Sequence, residues 1–225
     1  MCGRFNVIDN PEMRDLLQTL GVDVSLSPGI NLAPTEQVQL VRHVEGRRGI
    51  APAQWWLVPA WAQAATRKYA MFNARSETLT QRRAFATPYK RQRGLVPMTH
   101  FIEWRTEQGV KQPWLVGNPE GALAVAALWD IWHGGGSPLL SCTLVTTSAA
   151  PSFAPWHKRM PVVLAPDERE LWLDNERAIA HDSNIFRPEL KTPLRLVPLS
   201  RTASNARNKD ASLLQPAGDV VELAA

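Results

Sequence analysis

The sequence predicts an α+β fold, a single domain with a largely antiparallel, barrel-like β-sheet core and peripheral helices. Three observations predict it. Strand-like runs follow one another through most of the chain, with few helical segments between them. The glycine signatures of parallel nucleotide-binding folds, G-x-G-x-x-G and the P-loop, are absent. The composition, 44% hydrophobic and 20% charged over 225 residues, suits a globular chain with a substantial core.

The elements follow in order. "DNPEMRDLLQTLG" (9–21) is a helix. Asn10 caps it, Pro11 suits the first helical position, and Gly21 suits the exit. Met13, Leu16, Leu17 and Leu20 share one face. "EQVQLVRHV" (36–44) reads as a strand and "EGRRG" as the turn after it. "SETLTQRRAF" (76–85) reads as a short helix capped by Ser76. Strands are expected at 94–97, 101–105, 113–117, 122–129, 139–147, 160–165 and 194–199, with "GGGSP" (134–138) as a loop. "PDERELWL" (166–173) is a helix with acids in its first turn, as the helix dipole prefers. The domain is expected to span residues 1–216, with a loose tail over 217–225.

Composition narrows the function. Lysine and arginine total 25 against 21 acids, a net charge of +4, which permits nucleic-acid binding without requiring it. Cys2 and Cys142 make neither a disulfide framework nor a zinc site, which points to a reducing, cytoplasmic setting. No apolar run reaches the ~20 residues of a membrane span, and no signal-peptide core is present. No metal, no organic cofactor and no membrane partner is implied, and a monomer is expected.

Several residues carry possible chemistry. Removal of Met1 would give Cys2 a free α-amine beside its thiol. An amine and a thiol on adjacent carbons suit an aldehyde: the amine condenses to a Schiff base and the thiol closes a five-membered ring intramolecularly. Arg4 nearby would favour the thiolate. Glu103 in "HFIEWR" shares a strand face with Phe101, and reads either as a general acid or base with a raised pKa or as an edge carboxylate in water. His157 in "PWHKRMPVVL" reads either as a proton shuttle or as a loop histidine, with four other histidines competing. Asn73 and Arg75 in "FNARSET" would share one face of an extended segment, suited to sugar and phosphate contacts, or form a turn with a surface arginine. "RRAFATPYKRQR" (82–93) mixes cations with Phe85 and Tyr89, the pattern either of a nucleic-acid patch or of a solvated helical face.

Taken in order, "MCGRF", "NLAPT", "PAW", "FNARSET", "LVPMTHFIEW", "KQPWLV", "AALWD", "LVTTSA" and "HKRMPVVL" resemble the SOS-response-associated peptidase (SRAP) family, from Cys2 to about "LLQP" (213–216). The resemblance implies a protein that loses Met1 and binds single-stranded DNA containing abasic sites. It would join Cys2 to the sugar aldehyde as a thiazolidine, shielding the lesion from strand cleavage and error-prone copying. It implies that Cys2 is the nucleophile, that Asn73 orients it, and that Glu103 and His157 move protons. By the same resemblance Arg4, Arg75 and Arg159 meet phosphates, Pro34 and Trp104 pack on bases, and Trp61 faces DNA. Trp56, His100 and Lys158 depart from the family pattern. Trp56 is bulkier than the usual glycine, His100 is expected near Glu103, and Lys158 adds charge beside His157. Two other readings compete: a thiol peptidase acting on other proteins, and a non-covalent single-stranded DNA-binding module.

Overall fold

The computed structural model describes residues 2–24, 26–44 and 46–225. In chain order it runs β1 (Arg4–Val7), α1 (Pro11–Thr19), β2 (Gly29–Leu32), β3 (Gln37–Val44), β4 (Arg47–Trp55) and β5 (Asn73–Arg75). Then come α2 (Arg83–Arg91), β6 (Arg93–Met98), β7 (His100–Glu107), β8 (Val110–Gly117), β9 (Leu123–Trp132) and β10 (Leu139–Ser148). The chain closes with β11 (Arg159–Pro161), α3 (Pro166–Leu173), β12 (Leu194–Pro198) and β13 (Val221–Leu223). The strands form two large, mainly antiparallel sheets, with the helices outside them, as the α+β reading expects.

One sheet is ordered β13-β12-β8-β7-β1-β2. In the other, β10, β4, β3, β6 and β9 pair in sequence, and β9 pairs back onto β10, so five strands close into a ring. β5 and β11 flank the ring on β10. The pairings of β10 with β4 and β5 are parallel; the remaining strand pairs are antiparallel. Closure explains the alanine-rich run of β9. Ala124 and Ala126, which share one face of the strand, are buried, and a small barrel has room only for small side chains among larger ones. Gly94 of β6 is required by close approach, because a Cβ there would lie 2.7 Å from the Val41 carbonyl oxygen of β3.

Helix α1 forms as expected. The Asn10 side chain accepts from the Met13 N–H at 2.9 Å, Pro11 opens the helix, and Gly21 leaves it at φ +66°. Its apolar face is buried in the main core, where the two sheets meet. There Phe5 of β1 meets Trp55 of β4 edge-on, with ring centroids 5.0 Å apart. A smaller core on the outer face of β7 and β8 joins Ile102 and Leu115 to Leu199, Ala203 and Leu213. The segment after β12 therefore lies over that sheet. Residues 217–225, expected to be loose, include β13, which pairs with β12.

Two local expectations are corrected. The segment 45–49 was expected to be a turn, but Arg47 already begins β4, which pairs with β3 from Val44↔Arg47 to Gln37↔Gln54. Two arginines, a glycine and Pro52 hid this strand; it is held by the ladder to its neighbour rather than by its own propensity. The helix expected over 76–85 is only a 3₁₀ turn at Ser76–Thr78, with no side-chain cap. The preceding residues are drawn into pairing with β10, and Ser76 is buried. The true helix is α2, whose buried face is Phe85, Pro88 and Tyr89. Pro88 lies inside it and masked the helical pattern.

Arg93 is 1% exposed. It donates to the carbonyls of Tyr89, Lys90, Trp172 and Arg177 at 2.8, 3.3, 2.8 and 2.8 Å, and also to that of Asp174. It thus satisfies the carbonyls that end α2 and α3, where a cation also complements the helix dipoles. Arg93→Met keeps the bulk and removes the donors. We expect it to cost ~3 kcal/mol or more in urea unfolding, since each buried carbonyl left bare costs ~1–3 kcal/mol.

Candidate functional site

The pairing of β1 with β7 builds the site. Arg4 lies opposite Ile102 in an antiparallel register, which brings Cys2, two residues upstream, alongside Glu103 and Trp104. β5 delivers Asn73 from the other sheet, beside Leu144 of β10. The turn between β10 and β11 delivers His157, and Arg159 opens β11. Four segments distant in sequence therefore converge where the two sheets meet.

Cys2 is fully buried. Its Sγ donates to the Arg4 carbonyl at 3.7 Å, and its own carbonyl accepts from Asn73 Nδ2 at 2.8 Å. Burial pushes the thiol pKa far up, and the adjacent Glu103 carboxylate pushes it the same way. Cys2 is therefore a protonated thiol here, not a standing thiolate. Asn73 Oδ1 is buried with no hydrogen-bond partner among the described residues.

Glu103 is 3% exposed on a face shared with Phe101. His157 Nδ1 stands 4.0 Å from Glu103 Oε2. The Arg159 N–H donates to His157 Nδ1 at 3.0 Å, which suits the neutral ring with its proton on Nε2. A protonated ring would instead turn an Nδ1–H toward the Arg159 carbonyl, 2.9 Å away, and toward Glu103. The histidine thus has an arrangement for either charge state.

The arginines differ in their surroundings. Arg4 is half-buried; it donates to Asn31 Oδ1 at 3.1 Å and lies 5.7 Å from the Trp104 ring centroid. Arg159 is held by Glu77 through Nη1–Oε1 and Nη2–Oε2 contacts of 2.5 and 3.0 Å, and donates to the Thr146 carbonyl at 2.7 Å. Arg75 is exposed. Asn73 and Arg75 line one groove, with Ala74 buried between them, so they share a face of β5. Trp61 also lines that groove and is 51% exposed. Trp104 is half-buried, its indole N–H donating to Ser204 Oγ at 3.1 Å. Pro34 is half-buried in the turn after β2, whose backbone is held by Glu36. Cys2, Asn73, Glu103 and His157 thus come together around one point; Trp61, Arg75 and Arg159 border it, and Pro34 lies in a neighbouring turn.

The departures also find places. Trp56 packs on Phe72 with centroids 5.6 Å apart. Strand alternation puts His100 on the face of β7 opposite Glu103, so it is not the neighbour expected from sequence. Its ring lies over Gly117, where an added Cβ would come within 2.4 Å of it, and burial holds its pKa down at about 4. Lys158 is exposed. Of the basic stretch 82–93, Tyr89 and Arg93 are buried and structural, while Arg82 and Arg83 remain exposed.

Sequence reasoning missed Asn31, Asn6 and Glu77. Asn31, at φ +51° and fully buried, directs its Nδ2 to the carbonyls of Ala203, Asn205 and Asn208. Its N–H donates to Asn6 Oδ1 at 2.7 Å. It holds Arg4 and the segment after β12 in one network. The residue type was the available sign, since Asn tolerates positive φ. Met1, whose removal the sequence reading expects, lies outside the described residues. Among the described residues, no group of three His, Cys, Asp or Glu could hold a metal ion. Among them, too, no helix is long and apolar enough to cross a membrane.

The chain is similar to known proteins in sequence and in fold. The family described as SOS response associated peptidase (SRAP) matches residues 1–206. The abasic site processing protein YoaM of Bacillus subtilis is 30% identical over 95% of this chain and 97% of its own length. The abasic site processing protein YedK of Escherichia coli is 26% identical over 96% and 100%. The abasic site processing protein HMCES of Xenopus tropicalis is 28% identical over 72% of this chain and 55% of its own. A solved structure from Bacteroides thetaiotaomicron shares the fold, with TM-score 0.79 at 20% identity over 96% of this chain and all of that one. A phage-related protein from Bordetella bronchiseptica also does, with TM-score 0.71 at 24% identity over 89% and 95%.

Proposed function

The chain belongs to the SOS-response-associated peptidase (SRAP) family, and from that premise we propose that it processes abasic sites by capturing them covalently in single-stranded DNA through Cys2. The observation that carries this reading is the convergence of Asn73 and Glu103 on Cys2, with His157 4.0 Å from Glu103, from three other segments. The named relatives supply the lesion; the chemistry of the residues supplies the reaction.

The steps follow from the groups present. Met1 is removed, freeing the Cys2 α-amine. Asn73 already grips the Cys2 carbonyl, and its buried Oδ1 is an acceptor suited to that new amine. The amine adds to C1′ of the ring-opened sugar, and water leaves as the imine forms. The Cys2 S–H then adds across the C=N bond. Sulfur joins C1′, and the thiol proton ends on nitrogen, giving a thiazolidine. The thiolate is the attacking form, so the Cys2 proton passes to a base as sulfur adds and ends on nitrogen. Glu103 accepts and returns protons during addition and water loss, and His157 relays them. Cys2 lies out of bulk water, which protects the imine from hydrolysis before the ring closes.

Backbone contacts by Arg4 and Arg75 give affinity without sequence preference, weakened by salt. Arg159 joins them only where a phosphate shares its guanidinium with Glu77. Specificity comes from the aldehyde, which intact DNA does not offer.

Intact mass spectrometry tests the proposal. The purified protein is expected to lack its initiator residue, Met1. After mixing with uracil-excised single-stranded DNA it should gain the oligonucleotide mass less one water. Retained methionine in a protein that still captures the DNA overturns the scheme.

A further inference from the structure

One ion pair ties together the segments that carry Asn73 and His157. Glu77 sits on the 3₁₀ turn directly after β5, the strand that holds Asn73. Arg159 opens β11, two residues after His157. Glu77 meets both terminal nitrogens of Arg159, Oε1 with Nη1 at 2.5 Å and Oε2 with Nη2 at 3.0 Å. β10 lies between the two segments and joins the contact: Thr146 pairs with Arg75 of β5, and Ser148 with Arg159 of β11. Arg159 Nη2 donates to the Thr146 carbonyl at 2.7 Å and to its hydroxyl at 3.2 Å, and Ser148 Oγ donates to Glu77 Oε1 at 3.4 Å.

Burial divides the pair. The Arg159 side chain is 12% exposed and that of Glu77 48%. Arg159 Nε is buried with no hydrogen-bond partner among the described residues. The remaining two guanidinium nitrogens both meet Glu77. A carboxylate and a phosphate present similar paired oxygens to a guanidinium. A phosphate arriving from solvent therefore competes with Glu77 for one arginine. The same arginine fixes His157, because its main-chain N–H donates to His157 Nδ1 at 3.0 Å.

We propose that Glu77 is a positioning residue that holds the place of a DNA phosphate on Arg159: it keeps Arg159 and His157 set for capture, and it opposes phosphate binding there. The proposal rests on the DNA-capture reading above and adds a residue to which that reading gives no part in the reaction. Its two effects have opposite signs. Removing the Glu77 charge should strengthen binding of intact DNA and slow capture of abasic DNA. A glutamate that merely supported the fold would weaken both.

The test compares wild type with Glu77→Gln, with Glu77→Asp, and with the control Glu170→Gln, which breaks another two-pronged arginine pair, that with Arg48 between α3 and β4. Affinity is measured with intact oligothymidylate across a range of salt. Capture is timed with saturating uracil-excised single-stranded DNA. Glu77→Gln should bind oligothymidylate about two- to fivefold more tightly, the range of a solvent-facing ion pair. Its slope of log affinity against log salt should steepen by about 0.7, one added single-strand phosphate contact. Its capture rate at saturation should fall about ten- to a hundredfold, the scale of a misplaced catalytic group. Glu77→Asp keeps the charge with a shorter reach and should fall between the two in both measurements. Glu170→Gln should match wild type. In an Arg159→Gln background, Glu77→Gln should leave affinity and slope unmoved, because the arginine it acts through is gone.

The proposal is overturned if Glu77→Gln weakens binding, or if it captures as fast as wild type. It is also overturned if Glu77→Gln tightens binding equally without Arg159, which would be simple charge repulsion. Should Glu77→Gln fail to fold, wild-type affinity and rate in Glu77→Asp overturn it. Failure of wild type to capture abasic DNA refutes the covalent reading alone, and the oligothymidylate measurements still decide whether Glu77 competes for Arg159.

Discussion

Cys2→Ala is expected to abolish the protein–DNA adduct that survives denaturing electrophoresis, a loss of at least about a hundredfold. Ring closure needs a thiol on the carbon next to the one that bears the amine. The other cysteine, Cys142, is buried in β10, where burial pushes its thiol pKa up to about 12. It has no α-amine to offer and stands in another sheet. Cys2→Ser keeps an amine beside a weaker nucleophile. It should give an adduct only when borohydride reduces the imine, and the alanine variant should do the same. The intramolecular second step is what makes the product lasting, because proximity replaces a bimolecular encounter with closure of a five-membered ring. A denaturation-resistant adduct from Cys2→Ala without reductant would show that another group does the chemistry.

Glu103→Gln is expected to slow capture by about a hundredfold or more, the range removed with a positioned acid–base group. Glutamine fills the same space and cannot exchange the proton. Affinity for intact single-stranded DNA should hold, because the Glu103 side chain is buried. Removing its negative charge should also let the Cys2 thiol pKa fall, since the carboxylate contributes to raising it. Thiol alkylation followed against pH separates a chemical role from a structural one: a merely structural glutamate would leave that profile unmoved. If the variant unfolds, Glu103→Asp keeps the charge and should restore part of the rate. Equal capture rates in wild type and Glu103→Gln would remove Glu103 from the reaction.

How much of this was legible in the sequence depended on how local the cause was. Helix α1 was readable because its cap, its first-turn proline and its apolar face lie within thirteen residues, 9–21. The runs that became β6 to β10 were readable because both faces of most of them are buried, leaving unbroken apolar stretches. β4 and α2 were not. A neighbouring strand holds the one, and a buried face containing an internal proline holds the other.

At the site, the sequence by itself determined the candidate groups: a thiol on the second residue, with an α-amine beside it once Met1 is removed as proposed, and a short set of residues able to move protons or meet phosphates. Only the tertiary structure decided which of them share a space. It set Glu103 beside Cys2, turned His100 to the opposite face, tied Arg159 to Glu77, and buried Arg93 while leaving Arg82 and Arg83 on a groove. The reason is physical. Reactivity is a covalent property of each residue and is written in the chain, whereas proximity and burial arise from strand pairing between segments a hundred or so residues apart.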